Sequence, residues 1–82
     1  MPTVLRVDGF QFFFFANDHP PKHVHVLKGD AYAKIDFVNG FILDHDMGPS
    51  DLKKVLRLCK LNQKLVEEAW DEWFENRWDY IL

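Results

Sequence analysis

The sequence predicts an α+β domain: a mostly antiparallel sheet of four to five strands, a meander of hairpins, with one long C-terminal helix packed on one face. Two observations predict it. Asp8-Gly9, Gly29-Asp30 and Asn39-Gly40 each separate β-rich runs, the composition of two-residue hairpin turns. From Pro49 onward, apolar residues recur at helical spacing instead.

The first hairpin joins residues 3–7 to residues 10–16 through a type I′ turn at Asp8-Gly9, which pairs Val7 with Phe10 and Leu5 with Phe12. Leu5, Val7, Phe10, Phe12 and Phe14 then share one face. Val4, Arg6, Gln11, Phe13 and Phe15 share the other, so the second strand ends apolar on both sides. The second hairpin joins residues 23–28 to residues 31–37 through a type II′ turn with Gly29 first, pairing His25 with Lys34, Val24 with Ile35 and His23 with Asp36. Val24, Val26, Ala33, Ile35 and Phe37 suit a core face. A third turn at Asn39-Gly40, of type I′, pairs Asp36 with Leu43 and Lys34 with His45, placing His45 on the face of His23 and His25.

The helix is expected over residues 49–76, with Gly48 as N-cap, Pro49 at the first helical position and Asp51 at the positive end of the dipole. Leu52, Val55, Leu56, Cys59, Val66, Trp70, Trp73 and Phe74 form its apolar stripe, and a bend is expected near Asn62. Lys53, Arg57, Lys60 and Lys64 line the outer side, followed by Glu67, Glu68, Asp71, Glu72 and Glu75. Such a face is ordinarily solvated, and phosphate binding is its alternative. Trp78, Tyr80, Ile81 and Leu82 make an apolar tail that must pack on this domain or on another chain.

Eighty-two residues make one domain, 1–82, close to the size at which a single core is only marginally stable. Apolar residues at 48% and charged residues at 28% are globular values, and no apolar run nears the ~18 residues of a membrane span. Without a secretory signal at its start, the chain reads as cytoplasmic, with no membrane partner. Cys59 is the single cysteine and reads as a packed core position. A net charge of −3 gives no general attraction to nucleic acid, so any RNA binding needs a local patch. Eight Phe and three Trp exceed what so small a core needs, which points to a partner surface. Phe13, Phe15, Trp78, Tyr80 and Ile81 are the residues expected there, in a homodimer or against a partner.

The densest chemistry lies in Asn17-Asp18-His19-Pro20-Pro21-Lys22-His23-Val24-His25-Val26, which holds three of the four histidines. The prolines stiffen the approach to the strand, and alternation puts both imidazoles of His23 and His25 on one face. Asp36 beside His23 favours the imidazolium, and Lys34 beside His25 favours the neutral ring. An acid and a base so differentiated, with Lys34 to stabilise a phosphorane, fit metal-independent cleavage of RNA. His23, His25, Lys34 and Asp36 are the candidate catalytic residues; Asp18, His19, Lys22 and His45 are candidate substrate-binding residues. The plain alternative is that these histidines occupy a polar strand face and that Asp18 only shapes a turn. No cofactor is expected and no metal is assigned. If a divalent metal is bound, His19, His23, His25 and His45, with Asp18 or Asp36, are its ligands. No Gly-rich phosphate loop, Cys-x-x-Cys site or nucleophile elbow is present.

Pro2-Thr3-Val4-Leu5-Arg6, Gly9-Phe10-Gln11-Phe12-Phe13-Phe14, Asn17-Asp18-His19-x-Pro21-x-His23-Val24-His25-Val26, Lys28-Gly29-Asp30 and Glu68-Ala69-Trp70-Asp71-Glu72 together resemble the small bacterial family catalogued as domain of unknown function 4160. The resemblance implies a bacterial protein often encoded beside a second small protein, in an arrangement like a toxin–antitoxin pair. It carries no catalytic assignment. The tail from Trp78 to Leu82 departs from the family pattern. Three functions are therefore weighed: an RNA-binding or RNA-cleaving component of such a module, a non-catalytic interaction module, and a metal-binding domain.

Overall fold

The turn signals produce a five-stranded antiparallel meander in the order β1-β2-β3-β4-β5. A computed structural model describes residues 3–75. Its strands are β1 (Thr3–Val7), β2 (Phe10–Phe13), β3 (Val24–Lys28), β4 (Ala31–Asp36) and β5 (Phe41–His45). At the first turn, Asp8 (φ 51°) and Gly9 (φ 82°) both take positive φ, as type I′ demands, and Val7 pairs with Phe10 and Leu5 with Phe12 as expected. At the second, Gly29 alone does so (φ 57°), the type II′ pattern, and His25 pairs with Lys34 and Val24 with Ile35. A long loop carrying a cis Pro20-Pro21 bond returns β2 to β3, with Phe13 opposite His25.

The third turn departs from expectation. Asn39 keeps negative φ, and the Gly40 amide donates to the Asp36 carbonyl at 2.8 Å, so the loop has four residues, 37–40. The Asp36 carboxylate enforces this by accepting from the amides of Val38 and Asn39, both at 3.0 Å, and from Asn39 Nδ2 at 3.1 Å. Asp36 therefore pairs with Phe41 rather than Leu43, and a bulge between Lys34 and Ile35 leaves Lys34 opposite Asp44 and Ala33 opposite His45. The shift of one residue at that end turns His45 away from the histidine face.

The helix also differs. It is two segments, α1 (Pro49–Leu61) and α2 (Gln63–Trp70), followed by a π-helical turn over Asp71–Glu75. Asn62 makes the break: its side-chain amide donates to the Leu58 carbonyl at 2.9 Å and its backbone amide to the same oxygen at 3.0 Å, closing α1. Gly48, Pro49 and Asp51 open α1 as expected, and Asp51 also pairs with Lys28 of β3 at 3.1 Å. The expected helix end at Asn76 and the tail from Trp78 to Leu82 lie outside the described residues. No described helix is long and apolar enough to cross a membrane.

One face of the sheet, with Phe10, Phe12, Phe14, Val24, Val26, Ala33, Ile35 and Phe37, packs on Val55, Cys59, Val66, Trp70 and Phe74 of the helices. Trp70 and Phe74 bracket Phe14, with ring centres 5.4 and 5.8 Å away. Each such buried ring contributes about 2–3 kcal/mol, so this stripe anchors the helices whether or not they are continuous. Burial also pushes the Cys59 thiol up to about 12, which removes it as a nucleophile.

Asp36→Ala should destabilise the domain by about 2 kcal/mol, since it leaves the Val38 and Asn39 amides without their acceptor. Burial alone would raise the Asp36 pKa, but hydrogen bonds from Asn39 and Val38 outweigh it and hold the carboxyl below 3.8. Its contribution is thus complete above that value and lost as pH falls through the lowered one. Urea midpoints of wild type and variant should accordingly converge only below about pH 4.

A candidate metal centre on the outer face of the sheet

Opposite the helices, the described residues form no second layer; the loop between β2 and β3 folds over the outer face instead. Its turn is fixed at Asp18, whose amide donates to the Phe15 carbonyl at 3.1 Å while its Oδ2 accepts from the Phe15 amide at 2.8 Å. The turn function expected of Asp18 is real, and it aims the carboxylate. Lys22 pins the other end of the loop to α2 and the π-helical turn, 2.9 Å from Glu67 and 2.8 Å from Asp71. These two carboxylates raise the Lys22 pKa, and the ion pairs fasten the loop to the helices.

Beneath the loop lie His23 and His25, both buried at 6% and 4% exposure. Val24 and Val26 point into the core, so alternation along β3 sends His25 to the outer face, where it stacks on Phe13 (5.4 Å) and meets Phe15 edge-on (4.4 Å). His23, just ahead of β3, lies 5.1 Å from the His25 ring and 5.4 Å from Trp70. Both Nε2 atoms converge on Asp18: His23 reaches Oδ1 at 3.2 Å, and His25 reaches Oδ2 at 3.1 Å. All three ligand atoms lie within 4.8 Å of one another.

The remaining ring nitrogens are held from behind. His23 Nδ1 donates to the Pro21 carbonyl at 2.9 Å, and His25 Nδ1 lies 3.1 Å from the Tyr32 hydroxyl. Such partners orient an imidazole so that Nε2 is the coordinating atom. Neither was named from the sequence. Tyr32 could have been found, since alternation along β4 places it with Lys34 on the face of His25.

Of the candidate catalytic residues, His23, His25 and Lys34 are brought to one region, and Asp36 stays within electrostatic reach of His23 while its hydrogen bonds go to the loop after β4. Among the candidate substrate-binding residues, Asp18 moves to the centre of the site, His19 is exposed at its rim, and Lys22 is ion-paired. His45 is exposed on β5 opposite Ala33, so the expected four-histidine ligand set is replaced by Asp18, His23 and His25. An open cleft of about 470 Å³ borders the cluster, with Asp18, His23, His19 and Lys34 in its wall. Phe13, expected on a dimer surface, is instead sealed under Phe15 and His25.

Burial would raise the Asp18 pKa, yet the Phe15 amide and the two imidazoles prevail and hold it below its ordinary value. For His25 burial is the leading cause, lowering the pKa below 6.5; Asp18 opposes it, and His23 and Lys34 add to it. A carboxylate that stays ionised beside an imidazole that stays neutral is the protonation state metal ligands need.

The arrangement is that of a small α+β domain with a candidate metal centre at the open end of its sheet. The chain belongs to the family described as Domain of unknown function (DUF4160), whose model matches residues 9–71, more than half of its length. That span runs from the first hairpin to the start of the π-helical turn and contains the whole cluster. Comparisons with curated proteins and with solved structures return no match.

In the metal-free protein, His25 should titrate below 6.5 in a proton–carbon correlation NMR experiment, and Asp18→Asn should lower it further by removing the group that favours the imidazolium. Because the unfolded chain binds the His25 proton more readily, this site should cost stability as pH falls below 6.5.

Proposed function

We propose that this chain is a divalent-metal-binding domain in which the Asp18 carboxylate and the Nε2 atoms of His23 and His25 hold the ion. One observation carries the reading. A carbonyl oxygen can only accept, so the contact with Pro21 puts the proton of a neutral His23 on Nδ1 and leaves a lone pair on Nε2. That lone pair faces another acceptor, Asp18 Oδ1, at 3.2 Å. A cation between them converts repulsion into two bonds. The spacing suits it, because donors about 2.1 Å from an ion at adjacent positions lie about 3.0–3.4 Å apart.

Two imidazoles and one carboxylate suit zinc or ferrous iron better than calcium or magnesium, and three protein ligands leave positions open. Metal-independent acid–base cleavage of RNA is less well supported. Both imidazoles address the one carboxylate of Asp18, and although Asp36 stays within electrostatic reach of His23, its hydrogen bonds are taken up by its own loop, so separate partners do not set the two rings apart as acid and base.

A second reading, an interaction module, is favoured by β5. Among the described residues this edge strand pairs on one side only, and it exposes Phe41 (63%), Ile42 and Leu43. An edge of that kind accepts a further strand, from a second copy or from a small partner such as the toxin–antitoxin-like arrangement implies.

Zinc at 100 times its dissociation constant should stabilise the protein by about 2.7 kcal/mol, seen as a raised melting temperature. His25→Ala and Asp18→Ala should abolish the shift and His45→Ala should keep it; an unshifted wild type would refute the metal reading. If β5 self-pairs, sedimentation equilibrium should show dimer at high concentration and Phe41→Lys should return it to monomer. A wild type monomeric throughout rejects the second-copy form of that reading.

A further inference from the structure

The sheet side of the molecule presents three lysines, and two are committed. Lys22 is paired with Glu67 and Asp71, and Lys28 with Asp51 while also lying 4.7 Å over the Phe10 ring. Lys34 makes no ion pair among the described residues, although Asp44 stands opposite it across the β4–β5 ladder. It is half-buried and lies directly across from His25 in the β3–β4 register. Directly opposed residues of an antiparallel pair keep their Cβ atoms about 4.5–5.5 Å apart. A free cation therefore stands beside the metal ligands, in the wall of the same cleft as Asp18 and His23.

Charge and shape together limit what that cleft takes. The carboxylate of Asp18 is the single acidic group in its wall. With a divalent ion bound, that carboxylate is neutralised and one positive charge remains on the ion, beside another on Lys34. Asn17 and His19 supply further hydrogen-bonding groups at the mouth, while Phe15 and Leu43 give it an apolar side. A cationic floor with one apolar side fits an anion carried on an organic group. A carboxylate that chelates the ion with both oxygens leaves none for Lys34, whereas the oxygens of a phosphate diverge tetrahedrally, so that one binds the metal while another reaches Lys34.

We propose that the open coordination position of the metal takes an oxygen of a phosphate ester, and that Lys34 pairs with a second oxygen of the same phosphate. The proposal rests on the metal reading above and names the ligand class of that site. A nucleotide and an RNA backbone both carry such a phosphate, and the chemistry at the ion and at Lys34 is common to both.

The experiment uses the full chain loaded with one equivalent of zinc, and metal-free chain beside it. Zinc affinity is measured by competition with a chromophoric chelator, and ligand binding by calorimetry with uridine 5′-monophosphate and with an RNA trinucleotide lacking terminal phosphates. The zinc-loaded chain should bind at least one of them and the metal-free chain neither. Binding of the trinucleotide assigns the cleft to a backbone phosphate, and binding of the monophosphate alone assigns it to a terminal one. Lys34→Met should hold or tighten zinc binding, since the cation opposite His25 opposes an ion there, and should weaken ligand binding at least about tenfold, the loss of one charge-assisted hydrogen bond, with Lys34→Arg restoring most of it. Zinc binding without ligand binding, or a Lys34→Met variant that binds like wild type, overturns the phosphate proposal and leaves the metal centre standing. A wild type that binds no zinc overturns both.

Discussion

The Asp18 carboxylate decides how the outer face of this sheet is closed. It is held by the Phe15 amide from its own turn, and it meets both imidazoles presented at the start of β3. Without that junction, the loop between β2 and β3 has no reason to lie across Phe13 and His25, and a five-stranded sheet with helices on one side would expose apolar rings on the other. A polar cluster thus does a job that a second layer of helix does in larger α+β domains. The junction must be fully satisfied to do so, because a buried carboxylate or imidazole lacking its partner costs about 1–3 kcal/mol or more.

Local chemistry was legible where a turn or a periodicity had a single solution. Asp8-Gly9 and Gly29-Asp30 fixed two registers, and alternation along β3 sent the valines inward and His25 outward. The third turn was misread because Asn39-Gly40 satisfies the composition rule for type I′, while the decision belongs to Asp36. Its carboxylate offers the Val38 and Asn39 amides a better acceptor than a two-residue turn allows. The helix break falls at Asn62, where a bend was expected, but the separation into two helices was not legible. Val55, Cys59, Val66 and Trp70 keep one phase across it, so the pattern is silent, and only the Asn62 side chain on the Leu58 carbonyl ends α1.

The site was legible in its members and not in its geometry. Asp18, His23 and His25 were all named, but with His45 and Asp36 beside them, since a register one residue off reassigns a whole face. The exposed apolar surface was legible in part: Phe15 is exposed as expected, Phe13 is not, and Trp78, Tyr80 and Ile81 lie outside the described residues. Phe13 carries an aromatic side chain on an outer face, which reads as a partner surface until the loop that covers it is seen. Among the described residues, apolar surface is also open at β5, where Phe41, Ile42 and Leu43 are exposed beside the bulge and the four-residue loop.

Closure of the loop and completion of the cluster are one event. His23 and His25 come from the entry and body of a central strand, Asp18 from a surface loop, and the loop is fastened again at Lys22 to Glu67 and Asp71. Strand and loop bring together donors that are far apart in an unfolded chain only in entropy, since they span a mere eight residues of sequence. The cost of assembling the cluster is therefore small, and most of it is met by the Asp18–Phe15 turn before any ion arrives. An ion that enters such a site does not have to fold it, so its binding energy goes chiefly into holding the three donors against their mutual repulsion. An ion held as proposed would therefore act on the cleft and Lys34, which border the three donors, rather than on the core.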